Sequence, residues 1–540
     1  MEPVNELKEV KKQFPSILGG WSSIFYGGKE DQYLDSVGID PEIINELDGF
    51  YNVFGTIIPN WIRTDITSPS LAGNAPMWIT AAPTTQGAYV YGSGGTLYTI
   101  GLLWRIDEEG GIINTGGEGN GLVERMDYLY LATGTDIVRF GTLSATGPTA
   151  ILNYWTSSAN GLGQAALTDT DYPLLLAGAS INFPNHPMHL HNDGYVYVGD
   201  YASGVGQIHS FYVSSAGATT VYFADLLLPP GYYPFDIKSY GTDLAIVASR
   251  ISNVTGSGLV RFSDSALFLW DTISKNFYRQ VPIPFELATA LANKNGELYV
   301  LCGNYGGNVN SGGVNLLKYL GGMSFDTIAS RPESRTPSAG AVDVYGNMIA
   351  FGGSYSFGGT STTAAGAMAV GYRNAELPSR AFNFIQRATV TTRPYQLVSA
   401  LKFMKERGIN PVLGWSTGSD GDGDWQIGID AYLMKQQNSM FRYLPVNVGK
   451  PFTLRRITLP LTGTVSAETE ITPVVWIDNG AKLHELKTIN STNYPNADLL
   501  IEYGGLQIPG KLNFILQLKF TSSIIRGIAP GASYELDYDD

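Results

Sequence analysis

Three histidines lie close together at His186, His189 and His191, and Asp193 follows them. His189 and His191 are two residues apart, so on a β-strand their side chains share one face. Imidazole nitrogens bind zinc, and such a pair would need a third ligand to hold Zn²⁺. The other interpretation, which we prefer, is that these histidines line an inner strand facing a water-filled channel.

A second cluster, Asp420-Gly-Asp-Gly-Asp424, spaces three carboxylates as a calcium-binding loop does. The sixth position of such a loop should be glycine and the twelfth glutamate, but this chain has Trp425 and Ala431 there. Asp422 also stands where the aspartate box of sialidase propellers has glycine. We interpret Asp420, Asp422 and Asp424 as a solvated acidic turn, with adventitious calcium binding as the alternative.

Known catalytic and nucleotide-binding patterns are absent from the sequence. The segment Gly505–Lys511 has the outline of a phosphate-binding loop, but Leu512 replaces the Ser or Thr that would hold Mg²⁺. It also precedes a predicted strand rather than a helix, so no helix N-terminus would meet a phosphate. The motifs H-E-x-x-H, G-x-S-x-G and C-x-x-C do not occur. We therefore assign no catalytic, cofactor-binding or metal-binding residue.

The composition restricts the class of protein. Of 540 residues only 15% are charged, the net charge is −14, and 64 residues are glycine and 28 proline. A disordered chain combines low hydrophobicity with high charge, which the 44% hydrophobic share excludes. Binding to nucleic acid needs clustered Lys and Arg, so sequence-specific DNA or RNA binding is not expected. The 32 tyrosines are of the type favoured where proteins meet other proteins or sugars, although packing accounts for most of them.

Cysteine usage and hydropathy give expectations about processing. Cys302 is the single cysteine, so an internal disulfide is excluded. The N-terminal residues have no basic segment followed by an apolar one, so we expect no secretion signal. No uninterrupted apolar stretch reaches about 18 residues, so we expect no membrane span.

The first 60 residues are predicted to form an N-terminal helix and an extended arm. Val4, Leu7, Val10 and Phe14 recur at helical spacing with Lys and Glu between them, and Pro15 ends the pattern. The following residues, up to about 60, are rich in aromatics and glycine and show no period. We expect the helix to dock on another surface.

Residues 61–385 repeat a pattern of strand, polar turn and strand. The second strands of the repeat begin near residues 88, 128, 195, 244, 298 and 348. This variable spacing suits four-stranded blades of a β-propeller, whose inner strands are apolar because both faces are packed. The sequence predicts six blades, with residues 150–182 as the place for a seventh.

Residues 386–540 are predicted to form a linker helix and a C-terminal antiparallel β-sandwich. The helix is predicted over Tyr395–Arg407, closed by Gly408. Longer alternating strands follow, and Asp478-Asn-Gly480 is a strong hairpin signal. These strands are predicted at Phe452–Leu459, Glu470–Ile477, Lys511–Phe520 and Tyr534–Tyr538. The fold class predicted for the whole chain is all-β.

This combination of arm, propeller and sandwich resembles the propeller-bearing structural proteins of tailed bacteriophages. The resemblance is carried by Gly38–Pro41, by Ala75–Ile79 before the first blade, and by Phe452–Leu459 and Val474–Gly480 in the last domain. It implies a non-enzymatic virion protein of the tail, such as a nozzle, tail-tip or fibre-associated ring subunit, synthesised in the host cytoplasm. It also implies other virion structural proteins as partners, a homo-oligomeric ring, and an N-terminal segment that docks on neighbouring subunits.

Two other functions stay open at this stage. A host receptor-binding or glycan-binding protein of the virion would carry a groove lined with exposed Tyr and Trp. A propeller glycosidase or lyase would bring acidic residues and a base to one mouth of the channel, and the sequence gives no pairing signal for them. The low charge content agrees with a subunit that buries flat, lightly charged contact surfaces, because burial of unpaired charge is costly.

Overall fold

The structure is a computed structural model in which every described element is a β-strand. The residues that it describes are 8–15, 17, 33–37, 39, 46–47, 50–51, 57, 61–62, 78–84, 87–94, 102–106, 112–114, 121–126, 128–132, 136–141, 149–156, 186–202, 204–213, 219–254, 260–304, 313–331, 340–346, 348–356, 363–374, 377–383, 396–407, 410–419, 426–429, 434–435, 439–495, 499–521 and 527–538. In this part of the chain no helix reaches the length and hydrophobicity that a membrane crossing requires. The all-β prediction is confirmed.

The chain divides into two compact units. One unit, which we call the two-sheet unit, contains Met1–Arg63, Met368–Phe384 and Ala431–Asp540. The other, which we call the propeller unit, contains Thr64–Ala367 and Ile385–Asp430. The first and last parts of the chain therefore fold together.

The strands are numbered in chain order. The first five are β1 (Lys8–Gln13), β2 (Tyr33–Val37), β3 (Glu46–Leu47), β4 (Phe50–Tyr51) and β5 (Trp61–Ile62). The next eight are β6 (Trp78–Thr84), β7 (Gly87–Gly94), β8 (Leu102–Ile106), β9 (Ile112–Asn114), β10 (Gly121–Arg125), β11 (Tyr128–Ala132), β12 (Asp136–Gly141) and β13 (Thr149–Thr156). They are followed by β14 (Met188–Leu190), β15 (Val196–Ala202), β16 (Val205–Val213), β17 (Thr219–Pro230), β18 (Tyr232–Tyr240), β19 (Asp243–Val254), β20 (Val260–Trp270) and β21 (Arg279–Ile283).

The remaining strands complete both units. They begin with β22 (Leu287–Lys294), β23 (Glu297–Gly303), β24 (Val314–Gly321), β25 (Ser324–Arg331), β26 (Val342–Tyr345), β27 (Met348–Ser356), β28 (Thr363–Asn374), β29 (Leu377–Asn383), β30 (Gln396–Arg407), β31 (Asn410–Ser419) and β32 (Gln426–Ile429). The last ten are β33 (Met434–Lys435), β34 (Ser439–Tyr443), β35 (Val446–Asn447), β36 (Phe452–Pro460), β37 (Ile471–Ile477), β38 (Lys482–Glu485), β39 (Leu500–Tyr503), β40 (Ile508–Gly510), β41 (Asn513–Phe520) and β42 (Ser533–Tyr538).

The propeller unit is a ring of antiparallel sheets. Five four-stranded sheets follow one another in chain order, β6 to β9, β10 to β13, β14 to β17, β18 to β21 and β22 to β25. The hairpin of β26 and β27 begins the sixth sheet, and β30, β31 and β32 form the seventh. The first strand of each sheet contacts the first strand of the next, and β30 contacts β6, which closes the ring. This is a propeller-like arrangement, and the predicted second strands coincide with β7, β11, β15, β19, β23 and β27.

The seventh sheet lies elsewhere than the sequence suggested. Residues 149–156 are the fourth strand of the second sheet, and residues 157–185 lie outside the described part of the chain. The predicted helix Tyr395–Arg407 is wrong, because residues 396–407 form strand β30. Leu401 and Phe403 are buried on either side of Lys402, which is the period of a strand. Helix propensity is a weak preference that packing between two neighbouring sheets overrides.

The two-sheet unit joins the two ends of the chain. One sheet has the order β1-β42-β36-β39, with β40 also paired to β36. The other contains β29, β2, β34, β41, β37 and β38 in that order, with β35 paired to β41. The ring of Phe452 in the first sheet contacts that of Phe514 in the second at a tilt of 49°, with ring centroids 5.9 Å apart, so aromatic side chains pack between the sheets.

The predicted N-terminal helix is wrong over residues 8–13, and its first part, with Val4 and Leu7, lies outside the described residues. Lys8–Gln13 form strand β1, which pairs antiparallel with β42 from Lys8 opposite Tyr538 to Gln13 opposite Ser533. A helix of about ten residues is marginal by itself, whereas the edge of β42 offers a ladder of backbone partners. Residues 8–13 thus dock on the last strand of their own chain. The predicted strands around 452, 470, 511 and 534 are confirmed as β36, β37, β41 and β42.

The predicted hairpin at Asp478-Asn-Gly480 is also confirmed. It connects β37 and β38, which pair antiparallel. Asp478, Asn479 and Gly480 have φ angles of 51°, 62° and 90°. Aspartate, asparagine and glycine are the residues that tolerate this left-handed backbone best, which is why the sequence signal was reliable.

Candidate functional site

The candidate site is a cavity of about 630 Å³ at the centre of the propeller unit, which we call the central cavity. First strands and first turns of six neighbouring sheets line it. Representative lining residues, one from each of these sheets, are Val123, His189, Lys238, Asn293, Asp343 and Lys402. Polar side chains are thus brought together from positions as far apart in sequence as 189 and 402.

Asp236 on β18 is a buried carboxylate held by three groups. Its Oδ1 accepts from the Lys238 Nζ at 2.7 Å and from the Ile237 N–H at 2.8 Å. Its Oδ2 accepts from the N–H of Leu291, on the next sheet, at 2.8 Å. Burial raises the pKa of the Asp236 carboxyl, while the Lys238 ammonium and the backbone N–H groups oppose that shift. Asp236 therefore links two neighbouring sheets.

Asp343 on β26 makes similar contacts two sheets further along the ring. Its Oδ1 accepts from Lys402 Nζ at 3.1 Å, and its Oδ2 accepts from the backbone N–H of Phe403 at 2.7 Å. Lys402 and Phe403 belong to β30 of the following sheet. Each of the two carboxylates thus binds a lysine and a backbone N–H of the next sheet. Both therefore stabilise the contact between neighbouring sheets.

The structure brings two of the three predicted histidines together. His189 Nε2 and His191 Nδ1 each lie 2.8 Å from the hydroxyl oxygen of Ser239. The backbone N–H of Ser239 donates to His189 Nε2 at 2.9 Å, and His191 Nε2 lies 3.0 Å from the carbonyl oxygen of Thr242. These contacts engage both nitrogens of His191 and the Nε2 of His189 with the neighbouring sheet.

The other two residues of the predicted cluster lie apart from this pair. His186 is buried, and its Nδ1 is 3.0 Å from the carbonyl oxygen of Gly199. Asp193 accepts from the Tyr195 N–H at 2.8 Å and from the Tyr197 hydroxyl at 2.7 Å. Within the described residues, no group of three or more His, Cys, Asp or Glu side chains is placed to hold a metal ion.

The environment of His189 makes stability depend on pH. Burial lowers the pKa of His189 well below its ordinary value of 6.5, and the positive charges of Lys238, His191 and Lys402 lower it further. The unfolded chain therefore takes up a proton at a higher pH than the folded chain. The stability that follows from neutral His189 is fully present above pH 6.5 and is lost as the pH falls below that value.

We expect His189→Gln to flatten this dependence. Below pH 6.5 the wild-type protein should lose up to about 1.4 kcal/mol of unfolding free energy per pH unit through this group. Urea unfolding at pH 7.5 and pH 5.5 measures the difference. His484→Gln, on β38, controls for the removal of a histidine. An equal pH dependence in His189→Gln and wild type would contradict the assignment.

Sequence reasoning missed a buried triad in the third sheet. His209 Nε2 lies 3.1 Å from Asp200 Oδ2, and His186 Nδ1 lies 3.9 Å from Asp200 Oδ1. The N–H of Ala224 donates to His209 Nδ1 at 2.9 Å, so the ring proton is on Nε2 and is donated to Asp200. The pairing of β15 with β16 brings Asp200 and His209 together. The spacing of these residues in the sequence does not indicate this contact.

The remaining sequence candidates have simpler outcomes. Asp420, Asp422 and Asp424 lie outside the described residues. Gly505–Lys511 runs through strand β40, and Asp478 accepts the N–H of Lys511 and of Leu512 at 2.8 Å each. The outline of a phosphate-binding loop is therefore a turn between strands, as predicted.

One face of the propeller unit carries exposed apolar side chains. We call it the turn face, because the described turns from first to second strand and from third to fourth strand lie there. Ile273 is 88% exposed in the last turn of the fourth sheet. The other exposed large side chains at or beside these turns are Met126, Tyr222, Tyr278, Leu320 and Met323. The central cavity opens on this face, since the turn residues Asn192, Gly241 and Gly296 line it.

A tyrosine cluster lies on the third sheet near the same face. The ring of Tyr195 is 5.3 Å from that of Tyr212 and 6.0 Å from that of Tyr222. The guanidinium of Arg125 lies over the Tyr212 ring at 5.0 Å. Such rings offer flat, partly polar surfaces for contact with another molecule.

Comparisons with known proteins give fold likenesses at low similarity. No protein family matches the sequence, and no curated protein matches it. The Neurospora crassa Pan2 WD40 domain aligns with 68% of this chain and 91% of its own, at 9% identity and a TM-score of 0.38. A glycoside hydrolase family 43 arabinoxylan arabinofuranohydrolase from Bacillus subtilis covers 87% and 97%, at 12% identity and a TM-score of 0.28. At such values neither structure supports an argument about this chain, whose propeller-like arrangement is shown by its own strand pairing.

Proposed function

We propose that the protein is a non-enzymatic structural component of a bacteriophage virion, a tail subunit assembled as a homo-oligomeric ring. In this proposal the turn face is the contact surface for another virion protein. The observation that carries it is the concentration of exposed apolar side chains on that face, with Ile273 as its most exposed member. Large exposed apolar surface on an otherwise well-packed protein is typical of interaction sites.

The proposal includes the shape of the two-sheet unit. We infer that its two sheets form a β-sandwich, because Phe14 contacts Tyr534 of one sheet at 5.0 Å and Tyr443 of the other at 4.7 Å. Sheets that pack face to face interdigitate side chains in this manner. Such a rigid unit, with both chain ends built into it, suits a particle subunit.

A non-enzymatic role agrees with the chemistry of the central cavity. A typical glycosidase needs one carboxyl group that protonates the leaving group and a second that acts as a base or a nucleophile. Asp236 and Asp343 each hold a lysine and the backbone of a neighbouring sheet, so proton exchange at either would disturb the contact between sheets. The net charge of −14 also agrees with a particle component that DNA passes without binding.

Charged substitutions on the turn face test the proposal. We expect the triple variant Ile273→Asp, Leu320→Asp and Met323→Asp to enter particles at least about tenfold less than wild type, because each buried carboxylate would oppose docking. Complementation of a phage that lacks the gene, followed by immunoblotting of purified particles, measures incorporation. Leu227→Asp, an exposed leucine on β17 outside the turns, is the matched control. Absence of the wild-type protein from particles would refute the proposal, and so would normal incorporation of the triple variant.

A second function, recognition of a host receptor or glycan by the virion, is favoured by the tyrosine cluster alone. It would place Tyr195, Tyr212 and Tyr222 against sugar rings. In that case Tyr222→Ala should reduce adsorption of the particle to host cells while the amount of protein in the particle stays constant.

A further inference from the structure

In the central cavity the ammonium groups of two lysines are more exposed than the carboxylates that pair with them. The side chain of Lys238 is 27% exposed and that of its partner Asp236 is 2% exposed. For the second pair the values are 35% for Lys402 and 14% for Asp343. The two pairs are neutral in total, but the charge that reaches the cavity is positive.

Hydrogen-bond capacity points in the same direction. An ammonium group has three donors and no acceptor, and Lys238 and Lys402 each donate to one carboxylate. The carboxylate oxygens also accept backbone N–H groups of Ile237, Leu291 and Phe403. Each lysine therefore has donors left for a ligand, while the oxygens of both aspartates are engaged.

The neutral polar residues of the cavity do not cancel this charge. The Asn293 amide donates to the Ser239 carbonyl and accepts from the Gly296 N–H, so its polar atoms serve the fold. His189 is neutral, because its Nε2 accepts from the Ser239 N–H and its Nδ1 then carries the proton. A volume of about 630 Å³ lies in the range of small-molecule sites.

We propose that the central cavity binds the oxyanion of a small polar molecule through Lys238 and Lys402. The shared chemistry is a carboxylate or a phosphate group, as carried by an acidic sugar or by free phosphate. The ion pairs of Lys238 with Asp236 and of Lys402 with Asp343 would hold the two ammonium groups in place. The lysine side chains would therefore lose little conformational freedom when the ligand binds. The cavity opens on the turn face, but anion binding there does not depend on the proposed function.

Calorimetric titration of the purified full-length chain tests the site. Glucuronate and inorganic phosphate are the probes, and neutral glucose is the reference ligand. We expect at least one of the two anions to bind, more weakly as NaCl is raised, and glucose to bind at least about tenfold more weakly. Binding of glucuronate alone identifies a sugar carboxylate as the ligand group, and binding of both anions identifies a general oxyanion site.

Paired substitutions separate binding from folding. The double variant Lys402→Met with Asp343→Asn removes both charges at once, leaves no buried unpaired carboxylate, and should weaken anion binding at least about tenfold. The control variant Lys318→Met with Glu297→Gln removes an ion pair outside the cavity and should leave anion binding unchanged. Lys238→Arg, which keeps the charge, should retain binding. The proposal fails if neither anion binds, if glucose binds equally well, or if both double variants, folded by circular dichroism, behave alike.

Discussion

Replacement of Asp200 by alanine should lower the free energy of unfolding by about 3–5 kcal/mol, because each buried donor that loses its acceptor costs about 1–3 kcal/mol. Asp200 is fully buried in the third sheet and accepts a hydrogen bond from His209. The N–H of Tyr201 donates to its Oδ1 at 2.7 Å. Alanine would leave these donors in the interior with no acceptor, which is more costly than the loss of the bond itself.

Urea unfolding of Asp200→Ala at neutral pH measures this loss. Asp326→Ala, at an exposed position on β25, should stay within about 0.5 kcal/mol of wild type and serves as the control. Asp200→Asn keeps the shape and one acceptor oxygen, so its loss should be smaller than that of Asp200→Ala. Losses of less than about 1 kcal/mol in Asp200→Ala would show that the triad is not a structural element.

The same residue gives a pH dependence of defined sign. Burial by itself raises the pKa of the Asp200 carboxyl, but the hydrogen bond from His209, the electrostatic interaction with the His186 and His209 rings, and the N–H of Tyr201 together lower it below its ordinary value of 3.8. The resulting stabilisation is present above pH 3.8 and is lost as the pH falls through the folded-state pKa. Asp200→Asn should therefore lose less stability than wild type when the pH is lowered from 5 to 3.

Replacement of Phe14 by alanine should lower the free energy of unfolding by about 3–5 kcal/mol. Phe14 is buried where the two sheets of the two-sheet unit meet, with its ring 5.0 Å from that of Tyr534 and 6.1 Å from that of Phe514. Its backbone N–H donates to the carbonyl of Ala532 at 2.8 Å, which continues the ladder between β1 and β42. Alanine would leave a cavity the size of the ring.

Hydrogen exchange locates this effect. In Phe14→Ala, and more strongly after deletion of residues 1–16, the amides of β42 should lose protection, because β42 loses its neighbour on one side. Lys12→Ala, an exposed side chain on the same strand, is the control and should leave protection unchanged. If β42 stays protected in the deletion variant, β1 is not an integral strand of the sheet. If the deletion variant loses protection in β42, a failure to enter particles would reflect misfolding of this sheet as well as loss of a docking segment.

The sequence patterns predicted the local elements of the propeller well. Alternating or wholly apolar runs ended by Gly, Asn or Asp marked all six second strands, because strand periodicity and turn chemistry are local properties. The same reasoning placed β36, β37 and the turn at Asp478–Gly480 correctly. It failed at residues 8–13 and 396–407, where charged residues between apolar ones fit a helix as well as a strand.

The candidate site was predicted only in part. Of the histidines predicted to line an inner strand, His189 lies on β14 and lines the central cavity, whereas His191 follows that strand and is buried. Both side chains share Ser239 as a partner. The sequence did not indicate Asp236 and Lys238 as site residues, because a carboxylate two residues from a lysine is common on any strand. Their importance depends on Leu291 of the next sheet, more than 50 residues later in the chain.

The sequence by itself therefore determined an all-β chain with repeated short strands, few charges and glycine-rich turns. Only the tertiary structure decided that β30 closes the ring against β6 and that β1 pairs with β42. The tertiary structure also decided that Lys238 and Lys402 meet in one cavity. The physical reason is that periodicity records which face of a strand is buried, whereas strand partners are selected by packing between residues hundreds of positions apart. The local sequences of β1 and β42 therefore do not indicate that these two strands pair.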